Sequence, residues 1–424
     1  MLWKITGHEI RYRLRKISTY VYFLMLFAVS YLFMNAAGGA FPDTFSLVGP
    51  NVNVNSPYHL SLTIAFLSLF GVIITAAFMG RTIYRDYESN IHPLLFTTPV
   101  HKGDYLGGRF LGALAANFAI FLGIGLGLVL GEITPWLDAD KFGQFRPMAY
   151  LVPYAVFVVP NLLVTGALFF ALAATTRKML PNYIGGIGLF LFYNIANLLL
   201  GGDALSNSDL ASLLDPFGTA SFGEATRYWT VAQQNTELVL PADMFLYNRL
   251  LWLGLAGAVF TVLYMSFDFR HLTAGRWFGS ADLDSDDAPA SPTQRRLSAL
   301  LTRLDLPTVH PSYDLWSAGQ QFLTLTKRSF FSIVRNKYFY ALLAGGGAFL
   351  LLGASEINKV YGTEVYPLTR IIADSLVSQV GLIFLILIAF YAGELVWQER
   401  DLKAQPIPAL NAIAIKPLPL GINN

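Results

Sequence analysis

Cysteine is absent from all 424 residues. That excludes disulfides, thiolate metal sites and a cysteine nucleophile. Charge is scarce too: 13% of residues are Asp, Glu, Lys or Arg, against 54% that are hydrophobic. Soluble domains carry about 25% charged residues, so a solvated globule is excluded. Sites for nucleotide and peptide chemistry are also missing. There is no Gly-x4-Gly-Lys-Ser/Thr phosphate loop and no GxSxG, and His8-Glu9 is followed by Tyr12 where HExxH needs its second histidine. The six histidines, His8, His59, His92, His101, His271 and His310, are expected to be scattered over loops. No metal, no cofactor and no catalytic residue is expected, and the chain is not read as an enzyme.

What is present is a series of apolar runs, at 18–35, 60–80, 109–130, 150–174, 183–201, 248–267, 338–354 and 375–393. Each has about the length a helix needs to cross a hydrocarbon core of about 30 Å. The loops between them alternate in basic charge. About 23 of the 29 Lys and Arg fall in every second loop, whereas the acids split almost evenly. Lys and Arg asymmetry without acidic asymmetry predicts a multi-pass membrane protein with both termini cytoplasmic. The centres of the runs carry no ionisable residue, which argues against a proton- or sodium-driven carrier.

The first residues predict an amphipathic helix on the inner leaflet. Trp3, Ile10, Leu14 and Ile17 recur at helical spacing opposite a basic face of Arg11, Arg13, Arg15 and Lys16. A cleavable signal peptide ending near Asn35-Ala36-Ala37-Gly38 is the competing reading. A retained first span is preferred because the arrangement returns at Phe322–Arg335, where no signal peptide could be. The end of the second run echoes as well: Gly80 to Glu88 has its likeness in Gly393 to Asp401. Two copies of one module follow from this. The expected divisions are a six-span module at 1–275, an acidic and proline-rich cytoplasmic linker at 276–319, a two-span partial module at 320–403 and a proline-rich tail at 404–424. Because the second copy stops early, the chain is read as a piece of a longer protein or a frame-shifted product, in preference to a naturally asymmetric one. Glycines at 123, 125, 127, 185, 186 and 188 are read as packing positions that let helices approach.

The most specific segment joins the second and third runs. It places the acids Asp86 and Glu88 at the end of a span, then His92, Leu94 and Leu95, then Thr98-Pro99-Val100, and returns through Tyr105 and Arg109. Pro93 and Pro99 predict a short, broken helix. This order resembles the inner loop of ABC-2 type exporter permeases. The resemblance implies an all-α integral membrane fold, with one six-helix permease module, a partial second one and about eight transmembrane helices in all. It implies a separate ABC ATPase subunit docked on the loop at Glu88, His92, Leu94, Leu95, Thr98 and Pro99. It also implies a second permease module or a homodimer partner, a bacterial inner-membrane location, and no nucleic acid. Asn90 departs from the family, which often has Gly there. The Gly393–Asp401 stretch after a duplicated module further resembles bacterial permeases fused to a zinc aminopeptidase-like domain, of which no residue is present here.

Two functions compete at this point. In one, the chain is the permease of an ABC exporter for a hydrophobic or amphipathic substrate. In the other, its spans anchor or scaffold a regulatory or peptidase domain and transport nothing. An intramembrane enzyme is a third reading, disfavoured by the missing motifs. Binding of an ATPase distinguishes the first two.

Overall fold

The computed structural model describes residues 1–40, 51–89, 100–177, 179–201, 208–267 and 315–356, two short strands after them, and scattered single positions up to Tyr391. The helices are α1 (Leu2–Leu14), α2 (Ile17–Ala37), α3 (Pro57–Glu88), α4 (Lys102–Glu132), α5 (Pro147–Thr176) and α6 (Leu180–Gly201). Three short ones follow, α7 (Ser208–Leu214), α8 (Thr219–Ala225) and α9 (Val231–Thr236), and then α10 (Asp243–Ser266). After an interval come α11 (Leu315–Val334) and α12 (Lys337–Glu356), with β1 (Lys359–Val360) and β2 (Thr363–Glu364) paired antiparallel. Among the described residues five helices, α2, α3, α4, α5 and α10, are long and apolar enough to cross a membrane. The all-α membrane fold is therefore as expected. The expected runs at 183–201 and 338–354 are α6 and α12, while 375–393 lies almost wholly outside the described residues. Contacts divide the chain into Met1–Phe278 with Gly347–Ile372, and Gly279–Gly346 with Ala373–Asn424.

In the first unit α3 is the hub. Its Ile64, Ala76, Met79 and Ile83 are buried against Ala113, Ile120 and Ile124 of α4 and Phe169 and Phe170 of α5. By contrast, α2 exposes Tyr20, Val21, Leu24, Met25 and Leu32, and α10 exposes Leu250, Leu251, Leu255, Val262 and Met265. Apolar side chains turned outward on long helices suit hydrocarbon, which offers them no worse surroundings than a core. α3 and α4 have 32 and 31 residues, so at 1.5 Å per residue both are longer than 45 Å or so and overrun a core of about 30 Å.

One edge of α4 is lined with glycine. A Cβ on Gly123 would stand 2.7 Å from the Phe23 carbonyl oxygen, and one on Gly131 would stand 2.6 Å from Met34 Cβ. Gly127, between them, leaves no room either, against Phe27 and Ser30. Farther toward the helix start, Gly112 and Gly108 seat α1, where Cβ atoms would meet Thr6 O at 2.9 Å and Ile5 Cβ at 2.7 Å. Small residues four apart let two backbones touch, and here they hold α1 and α2 in succession. Gly125 faces Tyr154 instead, Gly185 and Gly186 face Leu172 and Ala76, and Gly188 has nothing within 4 Å.

α5 contains Pro153 and Pro160, and between them the helix widens to a π turn over Tyr154–Val158. Proline supplies no N–H and crowds the carbonyl four residues back, and a widened turn accommodates both defects. The Tyr154 hydroxyl accepts from the Gly125 amide at 2.7 Å and donates to the Phe121 carbonyl at 2.8 Å. Those are the two groups a regular α4 would join directly, so the phenol is inserted into its ladder.

At the end of the bundle away from α1, the segment 208–247 is folded as a cap. Asn248 Nδ2 donates to the carbonyls of Ser212, Leu213 and Asp215, and the Asp215 carboxylate accepts from the Phe217 and Ala220 amides. Loop 51–56 is tied to the α4–α5 loop by Val54 N to Lys141 O at 2.9 Å, and Asn55 bridges Glu132 and Gly143 at 2.8 Å each.

In the second unit α11 turns into α12 through the same elbow by which α1 turns into α2. Lys16 N donates to Arg13 O at 3.0 Å and Thr19 N to Lys16 O at 3.1 Å; Asn336 N donates to Ile333 O and Phe339 N to Asn336 O, both at 3.0 Å. The two elbows align with a constant shift of 320 positions, Lys16 to Asn336.

Candidate functional site

The face that α1 turns toward α3 and α4 is polar. Thr6, Glu9 and Arg13 recur at i, i+3 and i+7 and are all buried, with Glu9 at 0% exposure. Glu9 is the centre of a network. Its Oε1 accepts from Arg13 Nε at 2.7 Å, and its Oε2 accepts from Arg85 Nη2 at 2.9 Å and Arg109 Nη1 at 2.5 Å. Arg109 Nη2 also reaches both oxygens of Asp86, at 2.8 and 2.7 Å, and the Tyr105 hydroxyl donates to Asp86 Oδ2 at 2.9 Å. Arg13 Nη2 donates to Thr82 Oγ1 at 2.5 Å. Three helices are joined through one carboxylate: α1 by Glu9 and Arg13, the end of α3 by Thr82, Arg85 and Asp86, and the start of α4 by Tyr105 and Arg109.

Aromatic faces complete the enclosure. The Arg13 guanidinium lies 4.0 Å from the ring centre of Phe78, and that of Arg85 lies 4.0 Å from Tyr12. Both distances are within cation–π range. Three guanidiniums face two carboxylates, so the cluster keeps one net positive charge out of water. Such an arrangement costs desolvation energy and survives only with good geometry. For Glu9, burial alone would raise the carboxyl pKa, but the charges of Arg13, Arg85 and Arg109 outweigh it and hold Glu9 below its ordinary value. The N-terminal helix is pinned at its start as well, where the Leu2 amide donates to Asp104 Oδ1 at 3.2 Å.

The structure treats the expected site residues differently. Glu88 is the last residue of α3 and is exposed, two positions beyond the inward-turned Asp86. His92, Leu94, Leu95, Thr98 and Pro99 lie outside the described residues. Trp3 and Arg11 on α1, and Arg15 and Lys16 just after it, are exposed, in keeping with a helix lying on a membrane surface. Arg13 requires correction: it is 6% exposed and its guanidinium belongs to the network, not to headgroups. The expected division of α1 into an apolar and a basic face also differs from the structure. Trp3, Leu14 and Ile17 share the exposed surface with the remaining cations, and the buried face is the polar one.

Sequence reasoning missed Glu9, Thr82, Arg85, Tyr105 and Arg109 as a set. The available signal was Glu9 itself, the single acid in a strongly basic segment, in phase with Thr6 and Arg13. Among the described residues no group of three or more His, Asp or Glu could hold a metal ion.

No curated protein matches this chain. A family model described as ABC-2 family transporter protein matches residues 3–265, more than half of the chain, and spans α1 and nearly all of α10. The chain therefore belongs to the ABC-2 transporter family and is a multi-pass membrane permease component of an ABC transporter.

Proposed function

We propose that this permease is driven by a separate ATPase subunit and works as an exporter, with the α1 end of the bundle and both termini on the cytoplasmic side of a bacterial inner membrane. The alternation of Lys and Arg between loops supports that orientation. The ATPase contact is assigned to the loop between α3 and α4, at Glu88, His92, Leu94, Leu95, Thr98 and Pro99. The remaining divisions are a linker at 276–319, a partial second module at 320–403 and a tail at 404–424. The matching elbow hydrogen bonds at residues 13–19 and 333–339 support the second module. A complete translocation path then takes a second full module, supplied by another chain or by a homodimer.

The observation that carries this reading is the Glu9 network. The proposed loop hangs between Asp86 on α3 and Tyr105 and Arg109 on α4, and Glu9 ties both helix ends to α1. Force applied at the loop cannot move α3 and α4 without also moving α1, and with it α2. A connected set of buried ion pairs is the kind of contiguous network that can carry coupling between two sites.

The test is co-purification of the epitope-tagged chain with the candidate ATPase from the same membrane, comparing wild type with a Glu88→Ala, Pro99→Ala double variant. Glu9→Gln is the third arm. The proposal expects association to be lost in the double variant and kept in Glu9→Gln, with transport-coupled ATP turnover reduced in the latter. If no ATPase accompanies a well-folded chain, the anchoring reading takes its place.

A further inference from the structure

We infer that Tyr154 is a positioning residue for transport, the pin through which displacement of α4 reaches α5 and the cap at 208–247. In a regular helix the Gly125 amide would donate to the Phe121 carbonyl four residues back. Here the Tyr154 hydroxyl takes both groups, at 2.7 and 2.8 Å. Gly125 has no side chain to keep the phenol out, and a Cβ there would stand 2.9 Å from its oxygen. Phe118, one turn before Phe121, meets the Tyr154 ring edge to face with centroids 6.1 Å apart. α4 therefore grips the tyrosine by its backbone as well as by a side chain. A rung occupied by a foreign group is where a long helix bends, so a bend of α4 at 121–125 carries Tyr154 with it.

The other end of the pin is a weak place in α5. Inside the widened turn the Tyr154 carbonyl accepts from the Val159 amide, five residues on. Pro153 and Pro160 bracket that turn and supply no N–H to it. A helix with rungs missing changes course at lower cost than a regular one. The residues that follow Tyr154 on α5 hold the cap. Phe157, fully buried, stands edge to face with Phe222 of α8 at 5.7 Å and tilted against Phe245 at 5.5 Å. Asn161 donates to the Phe217 carbonyl at 3.3 Å and accepts from Arg249 at 3.0 Å.

Together these contacts run from the α1 end of the bundle to the cap. Glu9 and Asp86 hold Arg109 at the start of α4, and Phe121 lies about three turns farther along the same helix. Tyr154 crosses to α5, and Phe157 and Asn161 pass the displacement to α8 and the turn before it. A phenol that only filled space would be free to turn as α4 moved. One fixed by a donor and an acceptor of the same helix turn follows that turn. Its use in transport rests on the drive proposed at the α3–α4 loop, whereas the link itself can be measured without an ATPase.

The chain has no cysteine, so a single thiol can report on the cap. Ser221, 1% exposed on α8, becomes the reporter as Ser221→Cys, and Leu240→Cys, 63% exposed, calibrates the reagent. A small maleimide reaches residue 221 only when the cap opens, so the labelling rate follows the opening equilibrium. Arg109→Ala, or Arg109→Lys where the alanine variant does not fold, loosens the start of α4. Either change should raise the rate at 221 by about 2–30-fold, the range carried by residues along a coupled network. With Tyr154→Phe already in place, the same change should raise it by less than about twofold. Sites that act independently would give equal factors in the two backgrounds. Equal factors would reduce Tyr154 to ordinary packing and overturn the assignment. A rate at 221 that the Arg109 changes leave untouched in the Tyr154 background would overturn it as well.

Discussion

Removing the Glu9 side chain should destabilise the first unit more than any single surface charge could. In Glu9→Ala the three guanidiniums of Arg13, Arg85 and Arg109 remain, all mostly buried, with only Asp86 as an acid among them. Three charge-assisted hydrogen bonds disappear, each worth about 1.5–3 kcal/mol taken singly. Their sum overstates the effect, because the wild-type carboxylate also loses hydration on burial and gains it back on unfolding. Breaking a buried ion pair by deleting one partner costs about 3–5 kcal/mol, and that is the expected loss here. Glu9→Gln should lose most of the same amount, since the amide fills the space but offers one oxygen in place of two and turns an NH₂ toward the cations.

The assay is unfolding of the purified chain in mild detergent against added dodecyl sulfate, followed by tryptophan fluorescence. A double-mutant cycle with Arg109→Ala isolates the pair. Removing both partners should cost less than the sum of the single changes, with a coupling energy of about 0.5–3 kcal/mol. A loss below about 1 kcal/mol for Glu9→Ala, the range of exposed pairs, together with zero coupling to Arg109, would falsify the claim that Glu9 is the knot of the bundle.

Acid should act through the same carboxylate. The Glu9 pKa is held below its ordinary value, so its contribution is present above the unfolded pKa, about 4.3, and is lost as pH falls through the lower folded value. The unfolding midpoint is therefore expected to stay level from neutral pH to about 5 and to drop below that, a drop that Glu9→Gln flattens. Gly218 has φ +77°, and a Cβ there would press on the Arg249 guanidinium. Gly218→Ala should lower stability by about 1–3 kcal/mol, measured by the same unfolding curve, and an unchanged curve would show the cap to be dispensable. Tyr154→Phe removes the hydroxyl between Gly125 and Phe121 and should cost about 1–2 kcal/mol. Hydrogen exchange at the Gly125 amide checks it: faster exchange supports the inserted phenol, while slower exchange means that α4 closes its own ladder.

Much of the fold was legible because hydropathy and helix length are local properties. Runs at 60–80 and 109–130 located α3 and α4 without any knowledge of their neighbours. Their true lengths were not legible, since each continues past the apolar stretch into residues such as Arg85 and Asp86 whose helical state is decided by what they touch. The same limit explains Arg13. Local pattern assigns a cation in a basic segment to solvent or headgroups, and the partner that overrules this, Glu9, lies one turn away in sequence while Thr82 is 69 residues away. Charges separated by a hundred residues reveal nothing of their pairing until the helices are placed, as Glu9 and Arg109 show.

The comparison of α1 with α11 supplies the complementary argument. α1 and α11 share an elbow and a basic character, and a hydropathy pattern treats them as one thing. They differ at Glu9 and Arg13 against Ser329 and Ile333, and the exchange reverses which kind of partner the same face can accept. A buried carboxylate needs protein donors fixed in place, whereas Ser and Ile need none. Position-by-position comparison within one chain therefore separates what the elbow requires, which α1 and α11 both keep, from the Glu9 and Arg13 pair, which α1 has and α11 lacks.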